Sequence, residues 1–389
     1  MNTFETDAAF VAHTYARFPL EIVGGKGSVL TGSDGKSYID LGSGIAVNTL
    51  GVCDAGWIAA VTDQLHRFGH TSNLYYSAPC ADLAAELCAR TGMRKVFFSN
   101  SGAEANECAI KAARAYGAAK HGEDCYTILT LKNSFHGRTL TTLAATGQDV
   151  FHEKFQPLTP GFVSIKPTPE ALAAALDTYK VAAVLFEIVR GEGGVLPLEK
   201  SFVDALIKEA AAHDFLLMCD EVQCGNGRSG TLYAYMQYGL SPDVVTTAKG
   251  LGGGLPLGAT LLGDKVADLF TPGSNGSTFG GNPIAAAGAL YVLSGLDDDL
   301  LAGVSRKSEQ IRAALTGAPG VKSITGLGLM LGVQTTLPAK EVASRCIERG
   351  VLVLTAKDKV RLLPALNIPD DLLMQAIGIL KDICAEGVQ

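Results

Sequence analysis

Residues 243–258 read DVVTTAKGLGGGLPLG, and the order of residue types along them decides how the rest of the chain is read. The β-branched run Val244-Val245-Thr246-Thr247 favours a strand, so Lys249 falls at the strand's exit. Gly250, Gly252, Gly253 and Gly254 then supply backbone freedom and close approach, and Pro256 keeps a helix from starting at once. The result is a shaped loop beside a rigid element, from which one lysine can be aimed over a pocket. Most strand-end lysines are solvated cations, so the neighbouring sequence has to decide.

Outward from this stretch the same rhythm recurs. Strand-like runs occupy 95–99 (KVFFS), 126–131 (YTILTL), 163–166 (VSIK), 182–189 (AAVLFEIV), 215–222 (FLLMCDEV), 243–248 (DVVTTA) and 258–263 (GATLLG), with helical spacing over 103–120, 169–178 and 200–213. This βαβ alternation predicts an α/β fold with a mostly parallel seven-stranded sheet, and the continuous apolar runs predict strands buried on both faces. Upstream, 21–50 read as short strands around a Ser33-Asp34-Gly35 turn, ending in the glycine-bounded GSGIAV, and 55–68 and 81–90 read as helices. Beyond Ala285 the pattern shifts to a long helix, then to strands over 327–333, 351–355 and 360–363 interleaved with helices over 338–349 and 370–386. The organisation expected is an N-terminal segment (1–50) packing with a small domain, a large domain (51–290) and a smaller α/β C-terminal domain (291–389).

Composition narrows the function. With 389 residues, 47% of them hydrophobic and 18% charged, the chain is a globular protein with a large core. Its net charge of -7 is scattered and no basic run could track a phosphate backbone, so nucleic acid is not expected as a partner. The N-terminus lacks a basic region before an apolar stretch, and no apolar run reaches membrane-spanning length. The nine cysteines show no CxxC spacing and the seven histidines no HExxH, which predicts reduced thiols in a cytoplasmic protein and no metal.

In open α/β sheets ligands gather at the carboxyl ends of the strands. After KVFFS, Ser101, Gly102 and Ala103 open a helix whose free amides and positive end suit a phosphate. After YTILTL, Phe135 and Arg138 share a turn, one able to cover a flat heterocycle and the other to clamp a carboxylate. Glu192 follows AAVLFEIV on a glycine-rich loop, and Asp220 ends FLLMC, where a carboxylate is costly to bury without a partner. A lysine, an acid, an aromatic ring and a phosphate cradle together are the parts that pyridoxal 5'-phosphate chemistry uses. A nicotinamide site fails on spacing, because Leu255 stands where GxGxxG needs its last glycine.

At this point the chain resembles the class III pyridoxal-phosphate aminotransferases, and among them the acetylornithine aminotransferase family. The resemblance runs from about Gly24 to about Leu366 on the stretches GGKGS, GIAV, SNSGAEANE, SFHGRT, GEGGV, CDEVQCGNGRSG, TTAKGLGGGLPLGA, GSTFGGNP and VRLLPALN. It implies fold type I and assigns Lys249 as the residue that links covalently to the cofactor and moves protons, with Asp220 at the pyridinium nitrogen. It further implies that Phe135 stacks on the ring, that Gln223 lies near its phenolic oxygen, and that Ser101, Gly102 and Ala103 hold the phosphate. Thr278, in the Ser277–Asn282 loop, would reach that phosphate from the neighbouring subunit, making a homodimer with shared active sites. Arg138 would bind the substrate's α-carboxylate or the partner of its distal end; in the acetylornithine subgroup the former is the usual reading. Arg361 would take a second carboxylate and Glu192 would mask it, with Ser277 nearby. The activity implied is transfer of the terminal amino group of N2-acetylornithine to 2-oxoglutarate in arginine biosynthesis. Ornithine, succinylornithine, 4-aminobutyrate and lysine-derivative aminotransferases share nearly every motif, and a non-catalytic pyridoxal-phosphate-binding protein is the reading from another class. Two departures stand out: Gly51-Val52-Cys53-Asp54-Ala55 where the family commonly has G-H-x-H-P, and Glu187-Ile188-Val189-Arg190-Gly191-Glu192 where it has E-P-I-Q-G-E. Arg190 thereby adds a cation beside the mask, able to pair with Glu192 or to share the role of Arg361.

Overall fold

The computed structural model describes residues 1–388, which form four sheets. Near the N-terminus β1 (Ile22–Lys26), β2 (Val29–Gly32) and β3 (Ser37–Asp40) make an antiparallel meander. The strands that follow are β4 (Lys95–Ser99), β5 (Thr127–Leu131), β6 (Phe162–Ile165), β7 (Val181–Phe186), β8 (Val189–Arg190), β9 (Leu196–Pro197), β10 (Leu216–Asp220), β11 (Val244–Thr247) and β12 (Gly258–Leu262). Seven of them form the central sheet in the order β4-β12-β11-β10-β7-β5-β6, while β8 and β9 pair as a separate short ribbon. Only β12 runs antiparallel to its neighbours β11 and β4, so the sheet is mostly parallel, as the sequence pattern predicts. Every residue of β7, β10, β11 and β12 is buried, which is why these runs are continuously apolar rather than alternating.

The crossover helices start where the chain supplies caps. Ser101 caps Gly102–His121, and Thr168, followed by Pro169 at the first helical position, caps Pro169–Thr178. The third covering helix is Lys200–His213. The C-terminal part builds a second antiparallel sheet from β13 (Val321–Leu327), β14 (Met330–Thr335), β16 (Leu354–Ala356) and β17 (Lys359–Leu362), in the order β13-β14-β17-β16. Between them β15 (Val351–Leu352) leaves to pair in parallel with β3, tying the first residues of the chain to the last third.

Four local readings are corrected. GSGIAV is not a strand: φ is positive at Ser43 (41°), Gly44 (64°), Ile45 (65°) and Ala46 (60°), a left-handed turn. A local side-chain cap and one tertiary bond override the β preference: Asp40 Oδ1 accepts the Gly42 and Ser43 amides (2.8 and 2.9 Å) and Ser43 Oγ donates to the Leu363 carbonyl (2.5 Å). The run 327–333 is interrupted by a tight turn at Gly328 (φ 55°), where a side chain would strike the Arg228 carbonyl. The run 351–355 is split between two sheets, and AAVLFEIV breaks after Phe186, which brings Glu187 to a strand end.

Candidate active site

A cavity of about 460 Å³ opens beyond the carboxyl ends of the parallel strands, lined by Ser101, Gly102, Ala103, Asn106, Phe135, His136, Arg138, Glu187, Asp220, Gln223 and Lys249 among others. Three charged groups reach it from three adjacent strands: Glu187 follows β7, Asp220 ends β10, and Lys249 comes two residues after β11. The ladder pairs Asp220 with Thr246, so acid and lysine are set by one register. Lys249 has φ 42°, a conformation a non-glycine residue avoids unless its surroundings impose it.

Asp220 is the best-held group in the cavity. Its Oδ2 accepts from Asn106 Nδ2 and His136 Nδ1, both at 2.8 Å, and its Oδ1 accepts the Val222 amide at 3.0 Å. Asn106 is itself fixed, since its amide nitrogen also donates to the His136 carbonyl and its oxygen accepts from Thr246 Oγ1 at 2.7 Å. These contacts leave the carboxylate acceptor capacity toward the cavity. His136 Nε2 is buried with no hydrogen-bond partner among the described residues.

Burial pushes the Lys249 ammonium below its ordinary range, opposed by the charges of Asp220, Glu192 and Glu187. Glu187 is pushed the other way, well above the usual carboxylate range, by burial and then by the charge of Asp220. Its two oxygens accept the amides of Phe135 (2.9 Å) and Gly191 (3.4 Å), so one carboxyl ties the aromatic turn to the glycine-rich loop. Asn106, His136 and Glu187 were not assigned from the sequence. Glu187 carried the same signal as Asp220, a carboxylate closing an apolar strand, hidden by reading that strand to residue 189.

Arg361, on β17, is 3% exposed and donates to Glu192 Oε1 at 2.5 Å and Gln223 Oε1 at 3.1 Å. Gln223 Nε2 completes the triangle by donating to Glu192 Oε1 at 3.2 Å. Burial raises the Glu192 carboxyl, but the charge of Arg361 and the hydrogen bonds from Arg361 and Gln223 outweigh it and leave the group below its ordinary value. A side chain at Gly191 would have to displace the ends of Gln223 and Met330, so glycine leaves Gln223 in its place against Arg361. Arg190 is buried, donates to the Lys132 carbonyl at 3.0 Å and pairs with no carboxylate among the described residues, so it does not compete for Glu192. Arg138 is exposed and lies over the rings of Phe135 and Phe151.

Ser277 and Thr278 do not line the cavity of their own chain. Ser277 Oγ accepts from Asn100 Nδ2 at 3.2 Å, which holds the loop at the rim, and Thr278 is exposed. The Gly51–Ala55 departure keeps its structural role by other means: Gly51 (φ 79°) packs against the Gly27 backbone and Asp54 caps Ala55–Arg67 through the Trp57 amide.

The residues present fit pyridoxal 5'-phosphate. A side chain at Gly102 would strike Val222, so glycine lets the start of a twenty-residue helix close on the cavity, and the amides of its first turn are an anion cradle. Asp220 offers an acceptor for a protonated ring nitrogen, Phe135 an aromatic face and Lys249 a desolvated amine.

Residues 10–384 match the family model described as "Aminotransferase class-III". The chain is 47% identical to the acetylornithine aminotransferase of Haemophilus ducreyi, over 98% of each chain. It superposes on the ornithine aminotransferase of Toxoplasma gondii, whose structure reveals partial occupancy of PLP at the active site, with TM-score 0.93 and 30% identity over 98% of this chain and 94% of that one. It superposes on the N-acetylornithine aminotransferase of Stenotrophomonas maltophilia with TM-score 0.85 and 35% identity over 98% of both.

Proposed function

Since the chain belongs to the class III aminotransferase family, we propose that it moves the terminal amino group of N2-acetylornithine to 2-oxoglutarate by a ping-pong mechanism, a step of arginine biosynthesis. Its cofactor is pyridoxal 5'-phosphate, which when bound accepts the electron pair left on the donor's carbon as that carbon loses a proton.

The chain's own residues do the rest. Asp220 holds a proton on the ring nitrogen, steadied by Asn106 and His136. Lys249, whose ammonium burial destabilises, carries a proton from the donor's carbon to the cofactor side. Ser101, Gly102 and Ala103 hold the phosphate and Phe135 covers the ring. Arg138 takes the carboxylate that donor and acceptor share.

The observation that carries the reading is the Arg361–Glu192 pair. A cation masked by a carboxylate on a glycine loop presents an uncharged wall to the acetylated donor and a carboxylate site to 2-oxoglutarate once Glu192 swings away. The likeness to ornithine aminotransferase structures supports free ornithine as the second reading. A panel of N2-acetylornithine, ornithine, N2-succinylornithine and 4-aminobutyrate, each with 2-oxoglutarate and read by glutamate formation, separates them. N2-acetylornithine should give the highest kcat/KM, and a tenfold preference for any other donor would overturn the assignment.

The enzyme is further proposed to be a cytoplasmic homodimer with shared sites. Asn73 Nδ2 donates to the Ser277 and Gly280 carbonyls, which ties the loop carrying Thr278 and the exposed Phe279 (57%) to the segment carrying the exposed Leu74 (89%) and Tyr75 (72%). Exposed apolar surface of this kind marks a protein–protein contact.

A further inference from the structure

The two substrate arginines are held by opposite means. Arg361 has a carboxylate on its N–H edge. Arg138 has no carboxylate within ion-pair distance among the described residues; its guanidinium carbon lies 4.6 Å from the ring centre of Phe151 and 5.6 Å from that of Phe135. The two rings meet edge to face at 5.8 Å and 74°, so each braces the other. Phe135 is anchored through its amide to Glu187, whereas Phe151 comes from a short 3-10 turn, Asp149–Phe151, and also lines the cleft on the Glu192 side.

We propose that Phe151 is the positioning residue that keeps Arg138 permanently open as a carboxylate site. A guanidinium has two faces and a rim of five in-plane N–H donors. An acid used to fix such a side chain occupies the rim and cancels the charge, which is what Glu192 does to Arg361. Aromatic faces attract the cation through the ring quadrupole and leave the rim free for a bidentate carboxylate. They also restrain a long, exposed side chain whose ordering would otherwise be charged against each binding event. Arg138, which lines the cavity, is thus always available for the carboxylate common to both substrates, and Arg361, joined to the cavity wall through Gln223, is available on demand for the carboxylate only the keto acid has.

This inference rests on Arg138 binding the shared carboxylate. It is tested on the cofactor-loaded enzyme with Phe151→Ala, Phe151→Leu, Phe151→Tyr and Arg138→Ala, reading KM and kcat for both substrates and the calorimetric dissociation constant of glutarate. Phe151→Ala and Phe151→Leu should raise both KM values and weaken glutarate about tenfold, with kcat within about twofold, and Phe151→Tyr should restore them. If Arg138→Ala raises KM but Phe151→Leu matches the parent, apolar bulk suffices and the ring-face role is wrong. If Arg138→Ala leaves both KM values and glutarate binding unchanged, the carboxylate reading of Arg138 fails as well.

Discussion

Replacing Glu192 by alanine removes the mask and leaves buried Arg361 (3% exposed) with the Gln223 oxygen as its remaining side-chain acceptor, and with Nε unpartnered, among the described residues. Removing one member of a buried ion pair costs about 3–5 kcal/mol. The Glu192 side chain keeps 30% of its exposure, so water reaches the vacated position. We therefore take a cost of about 2 kcal/mol, below that range, or roughly thirtyfold in an equilibrium constant. A dicarboxylate returns a carboxylate to the same place and recovers that energy, whereas an uncharged acetylated tail does not. The ratio of affinities for 2-oxoglutarate and N2-acetylornithine should shift toward the diacid by about thirtyfold. Arg190 does not blunt the effect, being committed to the Lys132 carbonyl. Single-turnover rates of the two half-reactions, measured separately across substrate concentration, give the ratio directly. A change of the same size and sign in both half-reactions would refute the mask and leave Glu192 as an ordinary loop acid.

Asp220→Asn places an amide against three donors, the side chains of Asn106 and His136 and the Val222 amide, and no longer favours a protonated ring nitrogen. Turnover should fall at least about a hundredfold with the circular dichroism unchanged, and near-normal turnover would make the residue structural. Mixing an inactive Lys249→Ala chain with an inactive Thr278→Ala chain should regenerate active sites if the loop serves the neighbouring subunit; full cofactor affinity in Thr278→Ala alone argues against that role. Glu221 is buried beside the active-site acid, and burial raises its carboxyl to about 7 against the amides of Ala234 and Tyr235 and the thiols of Cys224 and Cys219. The folded chain therefore binds a proton that the unfolded chain has released, so this group's contribution to stability falls as pH rises from about 4.5 through about 7, by roughly 3 kcal/mol. Urea midpoints at pH 5 and pH 8 should differ less in Glu221→Gln than in the parent, and an equal difference would show that Glu221 does not titrate there.

Lys249 and Asp220 were readable because burying a strand on both faces leaves a polar residue nowhere to go but its end, so charges at the ends of apolar runs announce themselves. The same rule would have found Glu187 had its strand been closed at Phe186. Arg361 was different: it lies 169 residues from Glu192, and nothing local pairs them. Only the likeness of VRLLPALN to a family motif pointed to it. GSGIAV misled because its composition is that of a strand while its conformation is dictated by Asp40 and Leu363, the latter 320 residues from Ser43. Gln223 sat in a recognised motif, yet its place between Glu192 and Arg361 follows from two sheets meeting, which no single stretch encodes.

The proposed catalytic acid and amine, Asp220 and Lys249, are carried by one ladder of paired strands, β10 and β11, whereas the proposed selecting pair, Glu192 and Arg361, bridges the β8–β9 ribbon and the C-terminal sheet. A slip of one residue between β10 and β11 would turn the acid to the other face and end the chemistry. Small displacements of the C-terminal sheet, by contrast, alter which tails are accepted without disturbing the proton path. Divergence of such enzymes toward new amines should therefore accumulate in 190–196 and in 354–362, and a laboratory search for new donors is best confined there, leaving 216–220 and 244–249 untouched.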